Sequence, residues 1–244
     1  MPPVQPVSQA GPLAGKRTAT RPLPAASRRQ QVVDLLRESI ITGQLVAGQQ
    51  LKQDQLGAQF GVSPAPIREA FRQLASEGLV EHIPNHGVFV TDVSADEFLG
   101  VLLPVRMAIE SYAVPLAASQ MTEETFAELE RLIEAMEKGA TSGDLAAINE
   151  YDVRFHELTI ESAGSVHALQ LWRSVQPRIR AQIYRLSPRH QNLKEIAAEH
   201  RKLLGALKRN NTAELLHEIE EHIVDSATDL LQRTDGRTTT AGTA

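Results

Sequence analysis

The chain has 244 residues, 42% of them hydrophobic, which is enough for one large globular domain or two modest ones. It contains no cysteine, so disulfide bonds and thiolate metal ligands are excluded. Its net charge of −5 is unevenly spread, because residues 1–93 carry 9 Lys and Arg against 7 Asp and Glu, and residues 94–244 carry 16 against 23. The sequence shows neither a signal-peptide pattern nor an apolar run of the roughly 20 residues that a membrane span needs. We therefore expect a cytoplasmic protein with no membrane contact.

The two ends of the chain differ in composition from the rest. Residues 1–26 are rich in Pro, Ala, Ser and Thr, show no apolar periodicity, and resemble residues 234–244 in kind. Both segments are predicted to be disordered tails. The first includes Lys16, Arg17 and Arg21 without any acidic residue, so it is either a solvated tail or an arm that contacts DNA phosphates.

The sequence pattern of residues 27–93 predicts a small DNA-binding domain. A first helix begins after Ser27 as its cap and ends near Thr42. Two short helical patterns follow, separated by a tight turn, and then two short strands joined by a turn of Pro, Asn, His and Gly. These elements span Gln53–Phe60, Pro64–Ser76, Leu79–Ile83 and Val88–Thr91. The pattern predicts a winged helix-turn-helix.

From Ser94 onward the sequence shows helical patterns and no convincing strand. Pro104 lies inside the first of these helices, which predicts a kink or a late start there because proline lacks a backbone donor. The predicted fold class is mainly α, with a winged helix-turn-helix at 27–93 and an all-α antiparallel bundle of about six helices at 94–233. The six helices are predicted at 95–119, 123–139, 144–162, 165–186, 191–209 and 212–232.

Candidate DNA contacts lie at two places in the first domain. Ser63 is expected to cap the second helix of the helix-turn-helix, whose N-terminus suits phosphate and major-groove contact, with Arg68 and Arg72 on the same helix. The turn between the strands places further candidates at the tip of a wing that can reach the minor groove. These are Asn85, His86 and Gly87. Taken alone, an arginine on an amphipathic helix is more often a solvated residue.

The order of these residues resembles the winged helix-turn-helix of the GntR superfamily over about 65 residues. Two positions depart from the family pattern at the DNA face, because Pro64 stands where the family has an arginine and Ala65 where it has a polar residue. The resemblance therefore implies the DNA-binding role more strongly than any particular operator. The matching residues are Gly61, Val62, Ser63, Pro66, Arg68, Glu69, Ala70, Leu74, Glu77, Gly78, Leu79, Gly87 and Val90.

Four residues in the helical part have the types and spacing of metal ligands. Asp152 and His156 are four residues apart, so both project from one helix face. His200 and His222 each fall on the apolar side of a later helix, where an imidazole without a partner is costly. Three imidazoles and a carboxylate can hold a divalent metal. The residue types alone also fit a hydrogen-bonded Asp–His pair.

After a GntR-type domain, this helical segment resembles the FCD effector domain of FadR-like regulators. Metal-binding members carry D-x-x-x-H and two later histidines, and Asp152, His156, His200 and His222 reproduce those intervals. The resemblance implies a bound divalent metal, zinc first, with nickel or manganese as alternatives. It also implies an effector-binding role for Arg106, which forms an R-x-x-x-E pattern with Glu110; the other interpretation is an exposed ion pair.

Together these patterns predict a DNA-binding transcriptional regulator, a repressor rather than an enzyme. The resemblance implies a homodimer on palindromic double-stranded operator DNA, controlled by a small organic acid bound at the metal. Two alternatives remain: a repressor for which the metal itself is the signal, and a metal-dependent hydrolase. Six helices rather than seven favour the VanR-like branch. The remaining histidines are interpreted as ordinary surface or packing residues: His82, His167, His190 and His217.

Overall fold

The computed structural model describes residues 25–235. Its first domain contains three helices and a small sheet, α1 (Ala25–Ile41), β1 (Gln50–Leu51), α2 (Gln53–Phe60), α3 (Pro64–Ser76), β2 (Val80–Ile83) and β3 (Gly87–Val90). Helix α1 already includes Ser27, which is therefore inside the helix and not its cap. Residues 25–26 belong to α1 and residues 234–235 to the last helix, so the predicted disordered tails at 1–26 and 234–244 are wrong at these positions. The rest of those tails, including Lys16, Arg17 and Arg21, lies outside the described residues.

The sheet has three antiparallel strands in the order β1-β3-β2. Strands β2 and β3 form the predicted wing, with Val80 paired to Val90. Strand β1 was not predicted, and it pairs with β3 through Gln50 opposite Phe89. The core beneath the sheet is made by side chains of α1, α2 and α3 together with strand residues, including Leu36, Ile67 and Leu74. This is a winged helix-turn-helix, as predicted.

The second part is all helical over the residues described. It comprises α4 (Ala95–Glu97), a π-helical turn (Phe98–Leu102), α5 (Leu103–Ala118), α6 (Glu123–Ser142), α7 (Leu145–Ser162), α8 (Val166–Leu186), a 3-10 turn (Ser187–Arg189), α9 (Lys194–Arg209), α10 (Thr212–Glu220), a second π-helical turn (Glu221–Asp225) and α11 (Ser226–Asp235). With the interrupted first and last helices each counted once, these are the six predicted helices. The fold class is confirmed.

Both interruptions fall inside helices that the sequence predicted as continuous. Pro104 occupies the first turn of α5, where its missing N–H costs nothing, and the π-helical turn lies just before it. This agrees with the predicted late start. The second π-helical turn contains His222, and such turns are frequent at functional sites.

The segment Ala95–Ala118 is long and apolar enough to resemble a membrane span, with a mean hydropathy of 1.4. Half of its most apolar 18-residue window is buried inside the protein. It also carries Arg106 and Glu110, which form an ion pair in the interior. These features are those of a core helix of the bundle.

Helix α8 connects the two domains. Its residue Ala181 packs against the core of the winged domain. Arg180 on α8 bonds to Glu38 of α1 at 3.1 Å and to Glu150 of α7 at 2.5 Å. Arg185 near the end of α8 bonds to Asp92 at 3.2 Å. The winged domain is thus held to the bundle through one helix.

Candidate metal and effector site and DNA-binding face

The predicted DNA contacts on α3 lie on the outside of the winged domain. Ser63 precedes α3 in extended conformation, but its side chain makes no capping hydrogen bond, which corrects the predicted cap. Its hydroxyl is exposed and free to contact a phosphate. Arg68 and Arg72 are also exposed, and Arg72 pairs with Glu69 at 2.7 Å. These positions suit contact with DNA.

The wing tip is held in a defined turn. Asn85 and Gly87 have positive φ angles of 63° and 108°, conformations that Asn and Gly adopt most readily. The Gln50 side chain donates a hydrogen bond of 2.7 Å to the carbonyl of His86, so the unpredicted strand β1 braces the tip. Asn85 and His86 are exposed there.

The four predicted metal ligands converge inside the helical bundle. Helix α7 supplies Asp152 and His156, α9 supplies His200, and the second π-helical turn supplies His222. One ligand atom from each lies within 4.8 Å of the ligand atoms of the other three. Side chains from three separate elements therefore form one compact donor set.

Each histidine uses Nδ1 to hold its ring in place. His156 Nδ1 donates to Glu110 at 2.7 Å, and His200 Nδ1 donates to the carbonyl of Ile196 at 2.7 Å. His222 Nδ1 donates to Glu199 at 2.9 Å. A proton on Nδ1 leaves the Nε2 lone pair of a neutral imidazole available to a metal.

The Nε2 atoms face one another without a donor between them. Those of His156 and His222 are 3.1 Å apart, and that of His200 lies 3.2 Å from Asp152 Oδ1. His200 Nε2 and Asp152 Oδ2 are buried and have no hydrogen-bond partner among the described residues. A divalent cation would satisfy all of these atoms at once, so the donor set fits a metal ion.

The protonation states of the side chains in this cluster are those that favour metal binding. Burial lowers the pKa of His156, with Glu110 partly opposing it. Burial and the neighbouring His200 and His156 hold the pKa of His222 well below its usual value. Burial opposes ionisation of Asp152, but His200, His156 and Arg106 keep the pKa of its carboxyl below the usual range. Neutral imidazoles and an ionised carboxylate are the forms that bind metals.

Arg106 is buried beside this cluster and not exposed. Its Nε donates to Glu110 Oε1 at 2.7 Å, while Nη2 is buried and has no partner within residues 25–235. Although burial raises the pKa of Glu110, His156 and Arg106 lower it to about 2. Glu110 thus stays charged and holds both Arg106 and His156. The ion pair with Glu110 is present but buried, not exposed as one interpretation had it, and Arg106 also lines a cavity beside the metal ligands.

That cavity extends from the cluster towards α8, α9 and α11 and has a volume of about 60 Å³. His190 is half-buried and is one of its lining residues. Most of the remaining lining is apolar. A concave, largely apolar site with a few convergent polar groups is typical of small-molecule binding.

Two known protein families match this chain, one in each domain. The family described as "FCD domain" matches residues 101–225, which is just over half of the chain. The family described as "Bacterial regulatory proteins, gntR family" matches residues 28–90. The chain is a GntR-family regulator with an FCD domain. It is therefore a transcriptional regulator and not an enzyme, which removes the hydrolase alternative.

Individual relatives of this GntR-family regulator span most of its length. The "Gluconate operon transcriptional repressor" of Bacillus licheniformis is 26% identical over 208 residues, covering 83% of this chain and 85% of the relative. The "HTH-type transcriptional regulator McbR" of Escherichia coli is 27% identical over 208 residues, covering 83% and 92%. The solved structure of "E. coli McbR/YncC" superposes with a TM-score of 0.73 at 24% identity, covering 85% of this chain and 98% of that one.

The structure adds site residues of this regulator that the sequence did not single out. Glu199 accepts hydrogen bonds from His222 and, at 3.0 Å, from Ser226. Asn149 and Ser187 join α7 to the 3-10 turn through a buried hydrogen bond of 3.1 Å. Glu110 was noted as the partner of Arg106, but its bond to His156 was not predicted. Only the position of Glu199 beside His200 carried any signal in the sequence.

Proposed function

We propose that this GntR-family regulator is a repressor whose affinity for operator DNA is controlled by a small carboxylate bound at a divalent metal in the FCD domain. The observation that carries the proposal is the buried set of three imidazoles and one carboxylate beside a cavity that Arg106 also lines. The repressor role is supported by relatives such as the gluconate operon repressor of Bacillus licheniformis. Such a protein acts on DNA in the cytoplasm.

The metal would be held by Asp152, His156, His200 and His222. Imidazole ligands suit zinc and nickel, and a carboxylate ligand is also compatible with manganese; zinc is proposed first. When bound, the ion supplies a Lewis acid with coordination positions left for an oxygen ligand. The buried Nη2 of Arg106 supplies an N–H donor and positive charge for the same carboxylate. The adjoining cavity favours an organic effector over a regulator that senses the metal alone.

The DNA-binding face is proposed to comprise α3 and the wing. Arg68 and Arg72 contact base edges or phosphates in the major groove, and Ser63 contacts a phosphate. At the wing tip, Asn85, His86 and Gly87 approach the minor groove. The domain limits 27–93 and 94–233 serve as working boundaries for these two functions.

Helix α8 is proposed to connect effector binding to DNA binding. Its C-terminal part contributes Ile183 and Leu186 to the cavity lining. One turn earlier, Arg180 holds Glu38 of the winged domain together with Glu150 of α7. A shift of α8 on effector binding would change the orientation of the winged domain. A coupling free energy of about 1–3 kcal/mol changes operator affinity roughly 5–150-fold.

A homodimer would place two winged domains on a palindromic operator. The outward face of α5 supports this part of the proposal, because its exposed large side chains are all apolar: Val105, Tyr112 and Leu116 are 38%, 59% and 37% exposed. No charged side chain of α5 is exposed, since Arg106 and Glu110 are both buried. We propose that this face packs against a second copy. A Val105→Asp/Leu116→Asp variant should sediment as a monomer where the wild type is a dimer.

The experiment uses full-length, zinc-loaded protein and an operator selected from a library of random duplexes. Fluorescence anisotropy gives the operator Kd with and without each acid in a panel of small carboxylates. An Arg106→Lys variant keeps the charge beside Glu110 but loses the guanidinium fork, and Arg154→Lys is the matched surface control. We expect one or more acids to weaken DNA binding in the wild type and in Arg154→Lys but not in Arg106→Lys. An unchanged operator Kd with every acid, or an equal response in Arg106→Lys, would refute the proposal.

A further inference from the structure

Three residues that line the effector cavity belong to the metal-ligand cluster or lie beside it, and they mark its metal end: Arg106, Asp152 and His222. Away from this end, the walls consist mainly of buried aliphatic and aromatic side chains from several helices. Examples are Phe98, Ile148, Leu186, Ile196 and Leu230.

The polar side chains among these walls are already engaged with the protein. Asn149 donates to the carbonyl of Leu145 at 2.7 Å and accepts a hydrogen bond from Ser187. The one hydroxyl hydrogen of Ser187 is shared between Asn149 and the carbonyl of Ile183, which lies at 2.7 Å. Asn149 therefore keeps one amide N–H, and Ser187 keeps its lone pairs but has no free hydrogen to donate.

The cavity wall near α9 and α11 also contains polar side chains that already have partners in the protein. Glu199 accepts hydrogen bonds from His222 and Ser226, so both of its oxygens are engaged. His190 is half-buried, and its ring makes no hydrogen bond with any described residue. Beyond the metal end, the lining therefore has few free donors, chiefly the His190 ring and one N–H of Asn149, beside spare lone pairs of Ser187 and Glu199. These are too few to pair all the hydroxyl groups of a sugar acid.

We infer that the effector is a small monocarboxylate with a mainly apolar tail, and not a polyhydroxylated sugar acid. This inference rests on the proposed function, since it assumes that the carboxylate binds at Arg106 and the metal. An apolar tail gains free energy by leaving water for these walls. A sugar acid would lose hydration of several hydroxyl groups, and buried hydroxyls without partners are costly. The selectivity therefore differs from what the name of the gluconate operon relative would suggest for this chain.

Two acids with the same number of carbons separate these cases. Isothermal titration calorimetry on zinc-loaded, full-length protein compares hexanoate with gluconate, and hexanamide serves as the probe that lacks a carboxylate. We expect hexanoate to bind at least about ten-fold more tightly than gluconate, because apolar pockets reject an added hydroxyl by up to about a hundred-fold. Hexanamide should bind more weakly than hexanoate, since it lacks the negative charge.

A variant within the lining tests the cause of this preference. Ile183→Thr places a hydroxyl in the cavity wall and should reduce the affinity for hexanoate several-fold. Val166→Thr makes a similar change on the same helix, at a side chain that is 66% exposed and outside the cavity, and should leave the affinity unchanged. Melting curves and zinc content of both variants show whether the fold and the metal are retained.

The outcomes separate this inference from the proposed function. Binding of gluconate as tight as that of hexanoate or tighter, lost in Arg106→Lys, would overturn the apolar-tail inference and leave the carboxylate site standing. Equal binding of hexanoate and hexanamide, or binding of hexanoate that survives in Arg106→Lys, would overturn the proposed function itself. No binding by either acid at millimolar concentration would overturn both.

Discussion

The Nε2 atoms of His156 and His222 lie 3.1 Å apart in the interior of the FCD domain. Both rings are fixed through Nδ1 by carboxylates, Glu110 and Glu199. Two lone pairs held this close repel each other unless a cation lies between them or one ring takes up a proton. Burial disfavours the protonated rings. The arrangement therefore stabilises the protein only when a metal is bound.

Removal of the metal should accordingly lower the melting temperature. At a free zinc concentration a thousand times its Kd, binding adds about 4 kcal/mol to the free energy of unfolding. Differential scanning calorimetry before and after chelation, and after zinc is restored, measures this shift. His217→Ala, which removes an exposed histidine that is not one of the four ligands, should show the same shift as the wild type. A melting temperature that is indifferent to chelator and zinc would contradict the fit of the donor set to a metal.

Acidification should destabilise the metal-free protein. The pKa values of His156 and His222 are lowered in the folded state, chiefly by burial, so between those values and the usual value of about 6.5 the unfolded state binds more protons. The contribution of these two neutral histidines to the free energy of unfolding is then complete above about pH 6.5, and it is lost as the pH falls below that value. Urea unfolding of chelated protein at pH 7.5 and pH 5.5 tests this. A His222→Gln variant should show a smaller difference between the free energies of unfolding at the two pH values. An equal difference in the wild type and the variant would count against His222 as a source of this pH dependence.

Substitution on α3 should weaken DNA binding without affecting the effector site. Arg68→Ala removes an exposed guanidinium, and a bidentate base contact is worth about 1–3 kcal/mol. Operator affinity measured by anisotropy should fall about 5- to 150-fold, while zinc content and acid binding stay at wild-type values. Arg131→Ala, an exposed arginine on α6, is the control for lost charge. If both variants bind the operator as the wild type does, Arg68 lies outside the DNA-binding face.

Loss of the ion pair between the domains should weaken the response to effector. Glu38→Gln removes the partner of Arg180 on the winged domain, and Glu38 is half-exposed, so the fold should tolerate the change. The ratio of operator Kd values with and without the active acid should fall several-fold, whereas Glu124→Gln, an exposed residue of α6, should keep it. An unaltered ratio in Glu38→Gln would mean that coupling does not pass through this contact.

Much of the fold could be predicted because the signals are local and periodic. The apolar pattern of α3 and α9, with buried Ile67, Leu74, Leu203 and Leu207, marks helices that bury one face. The four metal ligands could also be found, since Asp152 and His156 share a helix face and both later histidines lie in apolar patterns. Their convergence could not be derived from spacing, and it entered through the family resemblance.

The features that escaped prediction depend on tertiary contacts. Strand β1 has two residues, too few for any period, and forms because Gln50 and Leu51 lie along β3. The π-helical turns leave no distinct residue pattern, although one of them carries His222. His190 looks like a surface residue in sequence, and it reaches the cavity only because the 3-10 turn after α8 brings it beside α9 and α11.

We propose that the FCD domain holds one divalent ion through Asp152, His156, His200 and His222. Elemental analysis by plasma mass spectrometry tests this site most directly, on purified wild-type protein and on His200→Ala/His222→Ala, each offered zinc and then freed of excess. We expect close to one zinc ion per chain in the wild type and almost none in the variant, with similar helix content by circular dichroism. Equal metal content in the two proteins, or none in the wild type after zinc was offered, would contradict it.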